Sequence, residues 1–241
     1  MTQKVASHLK KTLTLKIITD NIFKTEMQTI VNTVNCYGIM GAGLALECKY
    51  RYPNMYVKYK DMCDNKMLNV GKLYLYKTQQ KWILNFPTKN HWKYETKPEY
   101  IVKGLVKFKE IYKVKGISSI AFPLLGAHNG GLSKEQSLSL LEKHLAGIDI
   151  PIEIYQYDPL ATDDLFEDFK TAFLTNNVST LKKLTRLKDD KIKKLKNILE
   201  TERLVNMGQL IAFNGIGKVT LEKCFHYAMR SDTPNIQLNL F

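Results

Sequence analysis

Residues 29–49 read TIVNTVNCYGIMGAGLALECK, and the order of residue types in this stretch decides the fold. Ile30 and Val31 open an apolar run punctuated by Asn32 and Asn35. Gly38, Gly41 and Gly43 follow, with Met40 and Ala42 among them, and from Leu44 the apolar residues recur at helical spacing. That pattern is strand, glycine loop, helix. Glycine lets the backbone turn sharply and approach a ligand, while the first N–H groups of the next helix have no intrahelical partner and can receive an anion such as a diphosphate. Turns also use glycine for steric reasons alone, so the stretch needs a second element before it specifies a site.

That element lies downstream in SIAFPLLGAHNGGLSKEQ, where an apolar strand at residues 117–123 meets Gly126, Gly130 and Gly131 before a helix begins near Ser133. Two such units can grip one diphosphate from both sides. The segments VNTVN and MGAGLA, then NFPTK, then PLLGAHNGGL resemble the macro domain, the ADP-ribose-binding fold. Within it they are most similar to the bacterial DNA ADP-ribosyl glycohydrolase antitoxins and to the human terminal ADP-ribose glycohydrolase. The likeness covers residues 13–159 and leaves the last third of the chain unexplained.

The chain has 241 residues, enough for one good-sized domain and a smaller one, and its hydrophobic fraction of 44% suits a globular core. The formal net charge of +13 and the pI near 9.4 favour an acidic partner, nucleic acid or phosphorylated nucleotides, over a merely solvated lysine-rich surface. Most of that excess precedes Leu160. Cys36, Cys48, Cys63 and Cys224 show no metal-binding spacing, and no apolar run is long enough for a membrane. The expectation is a reduced, cytoplasmic protein without signal peptide, metal or organic cofactor. Cys36 in the first loop reads as a small apolar filler.

Along the chain, residues 1–11 are polar, basic and aperiodic, the reading of a mobile start. Strands are expected at 13–18, 71–76, 81–86 and 152–157, the middle two as a hairpin about 78–80, with helices at 44–51, 55–66, 98–115 and 133–145. Strands separated by helices imply a mixed sheet covered on both faces, a three-layer α/β/α sandwich at 1–159 whose ligands bind at the carboxyl ends of the strands. The composition changes at 159–164, and a small all-α region at 160–230 follows, with helices at 165–174 and 178–199. Residues 210–225, LIAFNGIGKVTLEKCF, are similar to a helix-hairpin-helix motif, in which the turn at Gly215 and Gly217 and the helix opening at Lys218 would hold a DNA phosphate; an ordinary helical hairpin fits as well.

The macro-domain resemblance assigns roles residue by residue. Lys89, in NFPTK, matches the lysine with which both glycohydrolase groups attack or polarise the anomeric carbon of the distal ribose; a covalent and an electrostatic role both stay open. An amine attacks only when neutral, so a nucleophilic Lys89 needs a depressed pKa. Asn32 and Asn35 accompany the first loop, Asn35 on the distal ribose. Gly41, Ala42, Gly43 and Leu44 with Gly126, Ala127, His128, Asn129, Gly130, Gly131 and Leu132 enclose the diphosphate, and Tyr157 stacks on adenine. Two departures stand out. Asn21, beside Asp20, takes the place of an acidic adenine contact, and Gly130 takes that of the human enzyme's catalytic aspartate. His128 replaces a usual glycine and is either a substitute acid-base group or a tolerated loop residue. No metal ligand set is implied.

His91, Trp92 and Tyr94 interleave with Lys89, Lys93 and Lys97, a pattern in which rings stack unpaired bases and lysines track phosphates, or in which Trp92 closes the pocket rim. Together these readings predict a hydrolase removing ADP-ribose from nucleic acid, most readily from thymine in single-stranded DNA, in reversal of modification by a DNA ADP-ribosyltransferase toxin. The alternatives are an ADP-ribose reader and a hydrolase of protein-linked or small-molecule ADP-ribose. Finally Gln237–Phe241, QLNLF, in a flexible tail at 231–241, resembles the sliding-clamp-binding motif of bacterial replication and repair proteins; the other reading is a tail folded onto its own domain.

Overall fold

The computed structural model describes residues 15–231. The polar start, Leu13 of the expected first strand, and the QLNLF segment lie outside the described residues. The chain divides into two compact units between Asp158 and Pro159.

Among the described residues the first unit is built on six strands: β1 (Leu15–Thr19), β2 (Thr29–Asn35), β3 (Tyr74–Lys77), β4 (Trp82–Lys89), β5 (Ile120–Pro123) and β6 (Ile152–Gln156). Their order is β1-β6-β5-β2-β4-β3, and every neighbouring pair is parallel except β3 with β4. Helices α1 (Gly43–Arg51), α2 (Pro53–Asp64), α3 (Pro98–Lys115) and α4 (Lys134–Leu145) supply the outer layers. The strand pattern explains which face each covers. Val31, Leu84, Phe86, Phe122 and Ile154 point to one face and meet Ile101, Leu105 and Phe108 of α3 and Leu141 of α4. Ile30, Val34, Ile83 and Tyr155 point to the other and meet Cys48 of α1 and Met55 and Tyr59 of α2. A sheet buried on both faces is the expected form of a parallel sheet, and it is why β2 reads as a near-continuous apolar run.

Element boundaries follow local chemistry. A capping box starts α4: the Ser133 hydroxyl accepts from the Gln136 N–H and the Gln136 side chain accepts from the Ser133 N–H. Pro53 and Pro98 stand in the first turns of α2 and α3, where a missing N–H costs nothing. In β4 the Pro87 nitrogen cannot join the ladder, and the register with β2 slips between Val34 and Asn35, so that Asn35 lies across from Lys89. A slip of this kind re-aims the side chains beyond it.

The second unit is helical: α5 (Phe166–Thr175), α6 (Val178–Thr185), α7 (Asp189–Thr201), a 3-10 stretch (Met207–Ala212) and α8 (Lys218–Ser231). Phe166, Phe169, Phe173, Leu181, Leu195, Leu210 and Phe225 are buried within it. Asp163 ties the start of α5 to the start of the 3-10 stretch, accepting from Leu165 N–H and Phe166 N–H with one oxygen and from Met207 N–H with the other. The single helix expected over 178–199 is corrected to two. Arg186 takes φ 54°, the Thr185 hydroxyl donates to the Leu181 carbonyl and accepts from the Leu187 N–H, and the chain restarts extended at Lys188. The break leaves Leu184 of the apolar stripe 42% exposed. In the expected hairpin, Gly215 has φ 78° and its carbonyl accepts from Lys191 Nζ, Ile216 is buried, and Lys218 opens α8; the element before the turn is 3-10 rather than α. Among the described residues no helix is long and apolar enough to cross a membrane.

Candidate active site

Strands β5, β2 and β4 are parallel neighbours, so their carboxyl ends lie side by side. The second glycine loop leaves β5, the first leaves β2, and Lys89 is the last residue of β4. Three segments far apart in sequence therefore emerge at one sheet edge, the position at which open parallel sheets bind ligands.

The first loop is held by its own asparagine. Asn35 Oδ1 accepts from the N–H groups of Tyr37 at 3.0 Å and Ile39 at 3.3 Å, and its Nδ2 donates to the Ile39 carbonyl at 2.6 Å. Beneath it the Tyr59 hydroxyl donates to the Asn35 carbonyl at 2.7 Å, and burial pushes that phenol's pKa well up. Asn35 thus serves the loop's shape in this structure. Asn32 and Met40 lie deeper still: Asn32 is fully buried, its Nδ2 donating to Asn85 Oδ1 at 2.9 Å, and Met40 packs in the core below the loop. Their side chains support the loop from within. Gly38 is buried against α2, while Gly41, Ala42, Gly43 and Leu44 are open in varying degree. Ala42 caps α1 with no side-chain hydrogen bond, so the capping residue leaves the helix's first N–H groups to other partners. Burial, with Cys63 adding, pushes the Cys36 thiol up to about 11, so it stays protonated at neutral pH and has little nucleophilic character.

The second loop rests on residues that the sequence did not single out. Gly126 has φ 74°, and a Cβ there would stand 2.8 Å from Thr96 Cγ2; one at Gly130 would stand 2.7 Å from Thr96 Oγ1. The Thr96 N–H donates to the Gly130 carbonyl at 2.8 Å. Ala127 and Leu132 form a bridge across the loop, and the Leu132 N–H donates to the Gly126 carbonyl. Glu95, the neighbour of Thr96, lies against Gly131. His128 adopts φ 53°, the left-handed conformation that costs a side chain and that glycine takes freely. Its ring meets the exposed Tyr157, the residue just past the carboxyl end of β6, edge to face at 6.0 Å.

The two loops approach each other at Asn129: a Cβ on Gly43, whose φ is 55°, would stand 3.3 Å from Asn129 Nδ2. The ammonium of Lys89 donates to the carbonyl of that same Asn129. Lys89 is half-buried, and burial lowers its pKa below the usual lysine range against the opposing pull of Glu95. The amine of Lys89 and both glycine loops therefore come together near Asn129. On the flank, the Asn21 side chain caps the 3-10 turn Ile22–Lys24 by accepting from Phe23 N–H, and Asp20 pairs with Lys24. Burial raises the Asp20 pKa, but Lys24 and the Asn21 N–H outweigh it and hold the carboxyl below its ordinary value.

His91, Trp92 and Tyr94 follow Lys89 at the surface, and Lys93 Nζ lies 5.3 Å from the Trp92 ring centre. Gly215, Gly217 and Lys218 belong to the other compact unit. Among the described residues no three His, Cys, Asp or Glu side chains gather as a metal site.

A family model described as the Macro domain matches residues 31–141. A DNA ADP-ribosyl transferase-DNA ADP-ribosyl glycohydrolase fusion protein of Thermosipho africanus is 37% identical over 166 residues, 61% of this chain and 43% of that protein. A DNA ADP-ribosyl glycohydrolase of Mycobacterium tuberculosis is 40% identical over 119 residues, 48% of this chain and 34% of that protein. The chain thus spans less than half the length of these curated relatives. Among solved structures, the macrodomain of Mycobacterium tuberculosis DarG matches with a TM-score of 0.57 and 36% identity, over 58% of this chain and 96% of that one. Thermosipho africanus DarTG in complex with ADP-ribose matches with a TM-score of 0.58 and 38% identity, over 61% of this chain and 42% of that one.

Proposed function

The chain belongs to the macro domain family, and on that premise we propose that it is an ADP-ribosyl glycohydrolase that removes ADP-ribose from DNA. The observation that carries the reading is the contact of Lys89 Nζ with Asn129 where the second loop nears Gly43 of the first. A pure reader of ADP-ribose has no use for a half-buried amine at that point. Relatives named DNA ADP-ribosyl glycohydrolase, 37% and 40% identical, support the acceptor being DNA.

In this reading the diphosphate lies between the N–H groups opening α1 and those of the second loop, whose partial positive charge suits an anion. The distal ribose then meets Lys89. Neutral, its amine attacks the anomeric carbon as the N-glycosidic bond to thymine breaks; the base leaves with the bond pair and takes a proton. Water afterwards returns free ADP-ribose and the lysine. Burial favours the neutral amine, whereas the substrate's diphosphate favours the ammonium, so an electrostatic role for Lys89 is the competing form of the same proposal.

The partners follow from this function: a DNA ADP-ribosyltransferase toxin as the source of the modification, and long DNA held by the turn at Gly215 and Gly217 through backbone phosphates. Incubating ADP-ribosylated single-stranded DNA with the wild type and with Lys89→Ala tests the core of it. Release by the wild type alone is expected. Equal release by both removes Lys89 from the chemistry, and release by neither favours the reader.

A further inference from the structure

We propose that Tyr37, His91, Trp92 and Tyr94 form a stacking platform for the unpaired bases next to the modified nucleotide, so that the site takes its substrate as a single strand. The proposal rests on the DNA reading above for the identity of the strand, and adds to it a place where the strand lies and a reason why a duplex is refused.

The platform is assembled from two segments. Asn35 and Lys89 are register partners on β2 and β4; Tyr37 stands two residues beyond the one and His91 two beyond the other. Their rings meet at 4.3 Å. His91 then stacks on Trp92 at 5.8 Å with 23° between the planes, and lies 5.3 Å from Tyr94. The Lys93 N–H donates to His91 Nδ1 at 3.2 Å, which fixes the ring at the centre of the group. Tyr37 came to the group from the first glycine loop, and no spacing in the sequence connects it with His91.

The outer rings are exposed, Tyr37 by 55%, Trp92 by 45% and Tyr94 by 69%, so packing of the core does not account for them. A contiguous exposed aromatic surface of this kind marks an interaction site. Its surroundings select the partner. Lys93 is exposed with its Nζ 5.3 Å from the Trp92 ring centre, Lys97 is exposed three residues past Tyr94, and the whole chain carries a net charge of +13. Flat rings with interleaved cations complement bases joined by phosphates, whereas a duplex presents bases already stacked on both faces. Lys89 begins the segment that carries three of the four rings, so a base bound there is adjacent in chain terms to the reacting one.

The test uses the full chain and an unmodified oligothymidine. Trp92 reports on it, because the other tryptophan, Trp82, is partly buried under Lys77 Nζ at 3.8 Å. Quenching of Trp92 fluorescence on binding is expected. Tyr37→Ala and Tyr94→Ala should each weaken the affinity by about 5- to 150-fold, a stacked base's ~1–3 kcal/mol converted at 1.4 kcal/mol per decade. Tyr94→Phe, which keeps the ring, should restore it, and a matched duplex should bind more weakly at the same salt concentration. Affinity that survives removal of the rings, or equal binding of the duplex, overturns the platform; absence of any oligothymidine binding does so in favour of a protein partner. An ADP-ribosylated thymidine nucleoside separates the two claims. Its hydrolysis without oligonucleotide binding defeats the platform alone, and oligonucleotide binding with the ring dependence but no hydrolysis defeats the enzyme reading alone.

Discussion

Replacing Tyr59 by Phe tests whether the first loop is held from below. Tyr59 is fully buried on α2, and its hydroxyl reaches the Asn35 carbonyl at 2.7 Å and Asn35 Oδ1 at 3.3 Å. Removing it deletes one good hydrogen bond and one long one. The remaining side-chain partner of the carbonyl is Cys63 Sγ at 3.9 Å, a weak donor. A buried acceptor stripped of its partner costs about 1–3 kcal/mol, and the ring itself stays, so no cavity larger than one oxygen is added to that figure. For a protein of this size each kcal/mol moves the melting temperature by about 2–4 °C, so the first unit should melt about 2–12 °C lower. Scanning calorimetry of wild type and variant measures this, and a change in only one transition identifies the unit affected. Because Asn35 shapes the loop through Tyr37 and Ile39, the same variant should bind ADP-ribose more weakly, about fivefold for each ~1 kcal/mol that falls on the loop. A melting temperature within about 1 °C of wild type would refute the energetic reasoning, since even the lower bound predicts more. A lowered melting temperature with unchanged ADP-ribose affinity would refute the link from anchor to site.

Gly104→Ala in α3 ordinarily gains about 1 kcal/mol as helix propensity, but a Cβ there would stand 2.1 Å from Phe86 Cζ, and overpacking costs about 1–3 kcal/mol, so a net loss in chemical denaturation is expected, relieved by adding Phe86→Leu. Arg186→Gly relieves a side chain at φ 54° and should leave stability unchanged or raise it by up to about 1 kcal/mol; a clear loss in urea melts would mean that the arginine side chain contributes more than its conformation costs. Glu95 draws the Lys89 pKa up against burial, so Glu95→Gln should lower it further; if the neutral amine attacks, the rise of the hydrolysis rate with pH moves to lower pH and the rate at neutral pH increases, while a rate that falls as pH rises would exclude the amine as nucleophile. A peptide spanning residues 233–241 should bind the bacterial sliding clamp with micromolar affinity, lost on Leu240→Ala with Phe241→Ala; no binding at high micromolar concentration defeats the motif.

What the sequence made legible were the features that depend on local order. The strand, loop and helix of residues 29–49, the second loop, the proline-started α3 and the helix beginning near Ser133 all read directly from residue type and spacing. So did the mixed sheet, because strands separated by helices leave few other arrangements. Thr96 and Glu95 escaped notice because their importance lies in touching Gly126, Gly130 and Gly131, some thirty residues on, and nothing in their own surroundings announces it. Tyr37 joined His91 for the same reason. Arg186 broke a helix that its residue type favours: the Thr185 hydroxyl competed for backbone groups and the tertiary packing of α6 and α7 prevailed over propensity. Asn32 and Met40 show the converse, residues that look available in a string of letters and whose side chains are turned inward by the two-residue period of β2 and the fold of the loop.

The parallel sheet also has a history in time. Among the described residues β1 pairs with β6 alone, at the edge of the sheet, so the first of these six strands in chain order has as its neighbour the last. Until Ile152–Gln156 has left the ribosome, Leu15–Thr19 has nowhere to dock, and closing so long a loop is an entropic charge that must be met before any pairing rewards it. The core strands β5, β2 and β4, which carry the two loops and Lys89, can pair without it. The site is thus framed by the interior of the sheet, and the edge that completes the unit arrives afterwards, as a clasp on a structure already shaped.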